Sequence, residues 1–308
     1  MALVIEAEDA LLPAVLDLPE RPARGAVVAL HGAEAGHRDF FLYEQLARLL
    51  TPAGIAVLRY DRRPGTDGHD VPLAVQAADA HAALQVLRRQ FGDIPVGLWG
   101  YSQGAWAATA AANDGVAFLV LVAACGISPA RQMRFGTAEQ LRRHGFGPAD
   151  IAELTRLRSA VEEHQRGNLP RQEAQAIVDR AASQPWFPLS YVRRQLPERP
   201  GSWADMDFDP AVSIAAVSCP VLLFYGETDE WMPVDESIAV WRRIRTANGH
   251  PEPTICRLPG CGHEPTTGGD SNLAAVSPLY SKTLLTWLDR QLSMPQPRSA
   301  TIVPGEPS

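Results

Sequence analysis

Apolar and polar positions alternate along the chain in two distinct rhythms. Short runs rich in Val, Leu and Ile, bounded by Gly, Pro or Asp, occur at 25–30, 55–60, 94–99, 116–123 and 220–225, and each reads as a buried strand. Between them, 39–50, 71–91, 103–113, 235–248 and 278–292 space their apolar residues three and four apart, the period of a helix with one packed face. Within 71–91, Val75, Ala78, Ala82, Val86 and Leu87 predict the inward stripe, while Arg88 and Arg89 lie at the C-terminal end, where cations oppose the helix dipole. Strands that alternate with helices require right-handed crossovers, so the expected fold class is α/β: a mainly parallel sheet covered by helices on both faces.

The alternation stops between Gly126 and Pro210. Ile151, Leu154, Leu157 and Val161, and then Ala174, Ile177, Val178 and Ala181, predict at least two amphipathic helices there. A segment that leaves one core strand and returns to the next is expected to lie over the strand ends as a lid. The expected organisation is a core of 1–125 and 211–292, a helical lid of 126–210, and a loose proline-containing tail of 293–308. The lid segment carries 12 arginines against 11 acids, the rest of the chain 16 cations against 24 acids. Solvated helix faces account for most such charge; a weak pull on anionic substrates is the sharper reading.

Composition narrows the classes. The 308 residues are 46% hydrophobic and 20% charged with a net charge of −7, which excludes disorder and argues against nucleic acid as a partner. No apolar run is long enough to predict a membrane span. Cys125, Cys219, Cys256 and Cys261 form no C-x-x-C pair and lack zinc-site spacing, so reduced thiols and no metal are expected. Residues 1–20 carry Glu6, Glu8 and Asp9 and no basic n-region, which does not read as a secretory signal, and a cytoplasmic location is expected.

Gly100-Tyr101-Ser102-Gln103-Gly104 stands between a predicted strand and an alanine-rich helix. A serine on such a turn needs a strained backbone, and its neighbours two residues away must lack side chains for strand and helix to approach. A glycine-flanked serine can also be a plain helix cap, a weaker reading in this context. With this pattern the chain resembles the α/β-hydrolase superfamily, whose members carry a nucleophile on this elbow, an acid after a later strand and a histidine last. Gly226-Glu227-Thr228-Asp229-Glu230-Trp231-Met232-Pro233 is similar to the segment that holds the family's acid, and Pro259-Gly260-Cys261-Gly262-His263 to the loop that holds its histidine. The resemblance implies Ser102 as nucleophile, His263 as base and Asp229 as the carboxylate that orients it, with Glu227 and Glu230 as substitutes for the acid. It implies an oxyanion hole built by the backbone N–H groups of Gln103 and Ala33, the latter from a His31-Gly32-Ala33 segment that His31 braces. Asp61-Arg62-Arg63-Pro64-Gly65 departs at Pro64 from the Asp-x-Arg-Gly-x-Gly turn of many relatives. Asp39 has equal claims as a substrate contact and as a helix cap.

For the substrate pocket, Trp231 and Met232 lie two and three residues past the acid, and Trp186 and Tyr191 belong to an aromatic-rich stretch that either lines a pocket or anchors the lid. The expected activity is a serine hydrolase that cleaves a small-molecule ester or thioester, lactone or amide by acyl transfer, with no cofactor. An acyltransferase or cyclase on the same fold, or a ligand-binding module with a vestigial triad, is the alternative. Ser128-Pro129-Ala130 and the lid are similar to bacterial dienelactone hydrolases, serine aminopeptidases and acyl-CoA thioesterases.

Overall fold

A computed structural model describes residues 1–33, 36–65, 71–112 and 115–293. The expected tail from 294 onward, His69 and the predicted helix end at Asn113 lie outside the described residues. Eight strands form one sheet: β1 (Ala2–Glu6), β2 (Leu11–Asp17), β3 (Gly25–Leu30), β4 (Ile55–Tyr60), β5 (Val96–Tyr101), β6 (Leu119–Val122), β7 (Val221–Gly226) and β8 (Thr254–Leu258). Their spatial order is β1-β2-β4-β3-β5-β6-β7-β8; β1 and β2 are antiparallel and every pairing from β3 to β8 is parallel. The β1–β2 hairpin is absent from the sequence-based expectations. It forms an edge where Val4 and Leu11 stay exposed, so no sustained apolar run marks it.

Helices α1 (Phe41–Leu50), α2 (Leu73–Phe91), α3 (Gln103–Ala111), α8 (Val234–Ala247) and α9 (Pro278–Ser293) match the five predicted segments to within a few residues. Alternation along each parallel strand divides the core. Val28, Leu98, Leu121 and Leu223 face a cluster with α2, α3 and α8, while Val27, Trp99, Val120 and Phe224 face a second cluster with α1 and α9. The inward face of α2 differs from the predicted stripe. Leu73, Ala77, Ala80, Leu84 and Leu87 are buried, and Ala78 is exposed, because in so alanine-rich a helix the packing partners and not the apolar pattern choose the face. Asp39 caps no helix: α1 begins after Phe40, and the Asp39 carboxylate lies 3.7 Å from Arg59.

Between β6 and β7 the chain forms α4 (Pro129–Arg143), α5 (Pro148–Gln165), α6 (Arg171–Ala181), a 3-10 turn (Phe187–Ser190) and α7 (Pro210–Ala216). Leu141, Leu154, Leu157, Ala174, Val178, Trp186, Phe187 and Leu196 make a third apolar cluster within this segment. Among the described residues no helix is long and apolar enough to cross a membrane.

Candidate active site

β5 delivers Ser102 to its position. The serine adopts φ 53° and ψ −116°, a left-handed backbone that a non-glycine residue enters only when its surroundings force it. The forcing is steric. A Cβ on Gly100 would meet the Gly104 carbonyl oxygen at 2.4 Å, and one on Gly104 would meet that of Leu30 at 2.5 Å, so both positions need glycine for strand and helix to close on the turn.

The other two groups come from the ends of β7 and β8. Thr228 N–H and Oγ1 both donate to the Cys261 carbonyl, at 3.1 and 2.9 Å, and Gly226 passes so close to Gly262 that a Cβ would lie 1.9 Å from its oxygen. These contacts lock the two loops together. The result is a continuous chain of polar contacts: His263 Nε2 lies 2.9 Å from Ser102 Oγ, and His263 Nδ1 lies 3.0 and 3.1 Å from the two Asp229 oxygens. Asp229 is buried, and its Oδ1 also accepts the backbone N–H groups of Trp231 (2.8 Å) and Met232 (3.0 Å), which fixes the plane of the carboxylate. Glu227 is exposed, and Glu230 turns toward Arg143 at 3.4 Å. Burial opposes charge on His263, yet the Asp229 charge and hydrogen bond, helped by Glu230 and Glu264, outweigh it and raise its pKa.

His31 behaves differently. Burial pulls its pKa down to about 4, so the neutral ring donates from Nε2 to the Tyr60 carbonyl at 2.5 Å and braces the turn after β3. His81, His144, His164 and His250 each bond to a backbone carbonyl.

Ala33, Ser102, Gln103 and His263 border one open cavity of ≈ 810 Å³, together with Trp106, Arg158, Tyr191, Trp231 and Met232. Tyr191 and Trp231 meet edge to face at 5.0 Å between ring centres. Trp186 is a correction to the expected pocket. It is completely buried in the apolar cluster of the helical segment, with Leu141 of α4, Leu154 and Leu157 of α5 and Val178 of α6, and does not border the cavity.

Sequence reasoning missed Arg62. Its guanidinium donates to Gln103 Oε1 (2.6 Å), to the Ala33 carbonyl (2.6 Å) and to that of Gly32 (3.4 Å), and so ties the turn after β3 to the start of α3. Its neighbour Arg63 forms a bidentate pair with the buried Asp79 on α2.

Comparison with known proteins follows the same lines. Residues 27–277 match the model of a family described as "Alpha/beta hydrolase family". No curated protein matches the chain. Among solved structures, the chain is similar to Est1E from Butyrivibrio proteoclasticus (16% identity, covering 95% of this chain and 99% of that one, TM-score 0.59). It is also similar to a proline iminopeptidase from Mycobacterium smegmatis (17% identity, 95% and 99% covered, TM-score 0.58). A third is a highly thermostable carboxyl esterase from Bacillus coagulans in complex with glycerol (18% identity, 95% and 98% covered, TM-score 0.57). At these identities the likeness is one of fold.

Proposed function

Because the chain belongs to the alpha/beta hydrolase family, we propose that it is a serine hydrolase that cleaves a carboxylic ester or thioester of a small molecule through a covalent acyl-Ser102. The observation that carries this reading is the unbroken contact from Ser102 Oγ through the His263 ring to Asp229, at the edge of a cavity. A serine hydroxyl is a poor nucleophile at neutral pH, and an imidazole at 2.9 Å is within reach of its proton.

In the proposed reaction Ser102 Oγ attacks the acyl carbon while its proton passes to His263 Nε2. The carbonyl electron pair moves onto oxygen, where the backbone N–H groups of Gln103 and Ala33 receive it. The intermediate collapses, the bond to the leaving oxygen or sulfur breaks, and that atom takes the proton from His263. Water then repeats the sequence on acyl-Ser102, giving up its proton to His263, and releases the acid and the free serine. Asp229 stays ionised throughout; it keeps the proton of neutral His263 on Nδ1 and stabilises the imidazolium. Residues 126–210 serve as a lid that borders the cavity and limits access of water.

Ester and thioester rank first because these leaving groups depend less on protonation than an amine does. The test is steady-state hydrolysis of short-chain esters. Ser102→Ala and His263→Ala each lower kcat by several orders of magnitude, on the order of 10⁴ to 10⁶, and Asp229→Asn by less, since the three act as a unit. Undiminished turnover in Ser102→Ala overturns the covalent route.

A further inference from the structure

The steps above use the floor of the cavity and leave its α5 wall without a role. That wall carries Arg158, which borders the cavity yet is 5% exposed. Its Nη1 donates to the Ser190 carbonyl at 2.9 Å, and its Nε has no hydrogen-bond partner among the described residues. The nearest acid, Glu162, approaches Nε only to 3.8 Å, and its other oxygen is already taken by Nε and Nη2 of Arg134. Arg134, Glu162 and Arg158 therefore hold one net positive charge; the Arg158 Nε is buried against the Glu162 Oε1, which likewise has no hydrogen-bond partner, whereas the Arg158 Nη2 is not shut in and makes no hydrogen bond among the described residues. Burial draws the Arg158 pKa down to about 10, with Glu162 opposing that shift, so the charge persists at neutral pH.

A mostly buried guanidinium whose Nη2 lacks an acceptor is costly unless something completes it, and a carboxylate is the anion whose oxygens fit the Nη edge that borders the cavity. The rest of the lining adds direction. Glu264, next to His263 and bonded to Ser271 Oγ at 2.7 Å, puts negative charge at the histidine end, so an anion is repelled there and drawn to the Arg158 wall. We propose that Arg158 is a specificity residue that binds a carboxylate of the substrate, making the preferred substrate class an ester or thioester that carries a second, ionised carboxyl group. This rests on the hydrolase reading and names the substrate class of the same site.

Two measurements test it. Rates on the mono-4-nitrophenyl ester of glutaric acid and on 4-nitrophenyl pentanoate, matched in length, give the ratio of kcat/KM for charged over neutral ester. Arg158→Gln lowers that ratio about 10- to 100-fold, mainly through KM for the charged ester, and Arg158→Lys recovers part of it. An unchanged ratio in a folded Arg158→Gln protein assigns Arg158 to the internal network alone and overturns the proposal. Separately, glutaric acid monomethyl ester titrated into Ser102→Ala binds at millimolar concentration or below, more weakly as salt is added; no binding in that range also overturns it. The titration requires no turnover, so a protein that binds the monoester but hydrolyses neither nitrophenyl ester contradicts the hydrolase reading and leaves the carboxylate site standing.

Discussion

Ser102, Asp229 and His263 lie 127 and 34 residues apart in succession along the chain, yet each was legible because its immediate surroundings are constrained locally. The elbow can form only where Gly100 and Gly104 leave room for a backbone, and that requirement is written into five consecutive residues. In the proposed reaction the pH response comes from the histidine. As the proposed base His263 must be neutral to accept the serine proton, and its pKa is raised by Asp229 against the effect of burial. Activity is therefore present above that pKa and lost as the pH falls through it. The expected profile of kcat/KM has an acid limb whose midpoint lies above about 6.5, the ordinary histidine value. A profile that stays flat down to pH 5 (on the order of 1.5 units below that value) contradicts this assignment of the base. Trp186 marks the opposite case at the same scale: one aromatic residue among several in its stretch carries no sign of which neighbours will enclose it.

At the scale of elements, the parallel strands β3 to β7 were readable because both faces of each are covered, which makes them continuous apolar runs. The β1–β2 hairpin and the inward face of α2 were not, the first because an edge strand keeps apolar residues in solvent, the second because buried Ala77 and exposed Ala78 are the same residue type. Arg62 escaped for a further reason. Its role exists only once the turn after β3, the end of β4 and the start of α3 have converged, and no single segment records that meeting. Since it holds the two segments that supply the proposed oxyanion donors, Arg62→Leu is expected to lower kcat about tenfold or more with little change in KM, the mark of an interaction used in the transition state. A matching rise in KM with kcat intact would instead make Arg62 a substrate contact.

Over the whole molecule, two core clusters share one sheet and a third belongs to the helical segment between β6 and β7. That segment meets the site through α4: Gly136 lies against the Trp231 ring, Gln132 donates to the Trp231 carbonyl at 3.0 Å, and Arg143 donates to that of Thr228 at 2.7 Å. The helical segment is thus fastened to the loop that carries Asp229. Trp186 anchors its cluster, so Trp186→Ala is expected to destabilise the protein by about 3–5 kcal/mol, read from the shift of a denaturant midpoint. Its indole N–H has no partner among the described residues, so Trp186→Phe costs clearly less; equal losses would contradict an anchoring role based on apolar packing. The central claim joins all three scales, because a reactive Ser102 requires the strained residue, the converging loops and the closed core together. Its most direct test is mass spectrometry of the protein after exposure to a fluorophosphonate. The account predicts one covalent adduct, mapped to the peptide containing Ser102 and lost in His263→Ala; no adduct, or an adduct that survives Ser102→Ala, would contradict it.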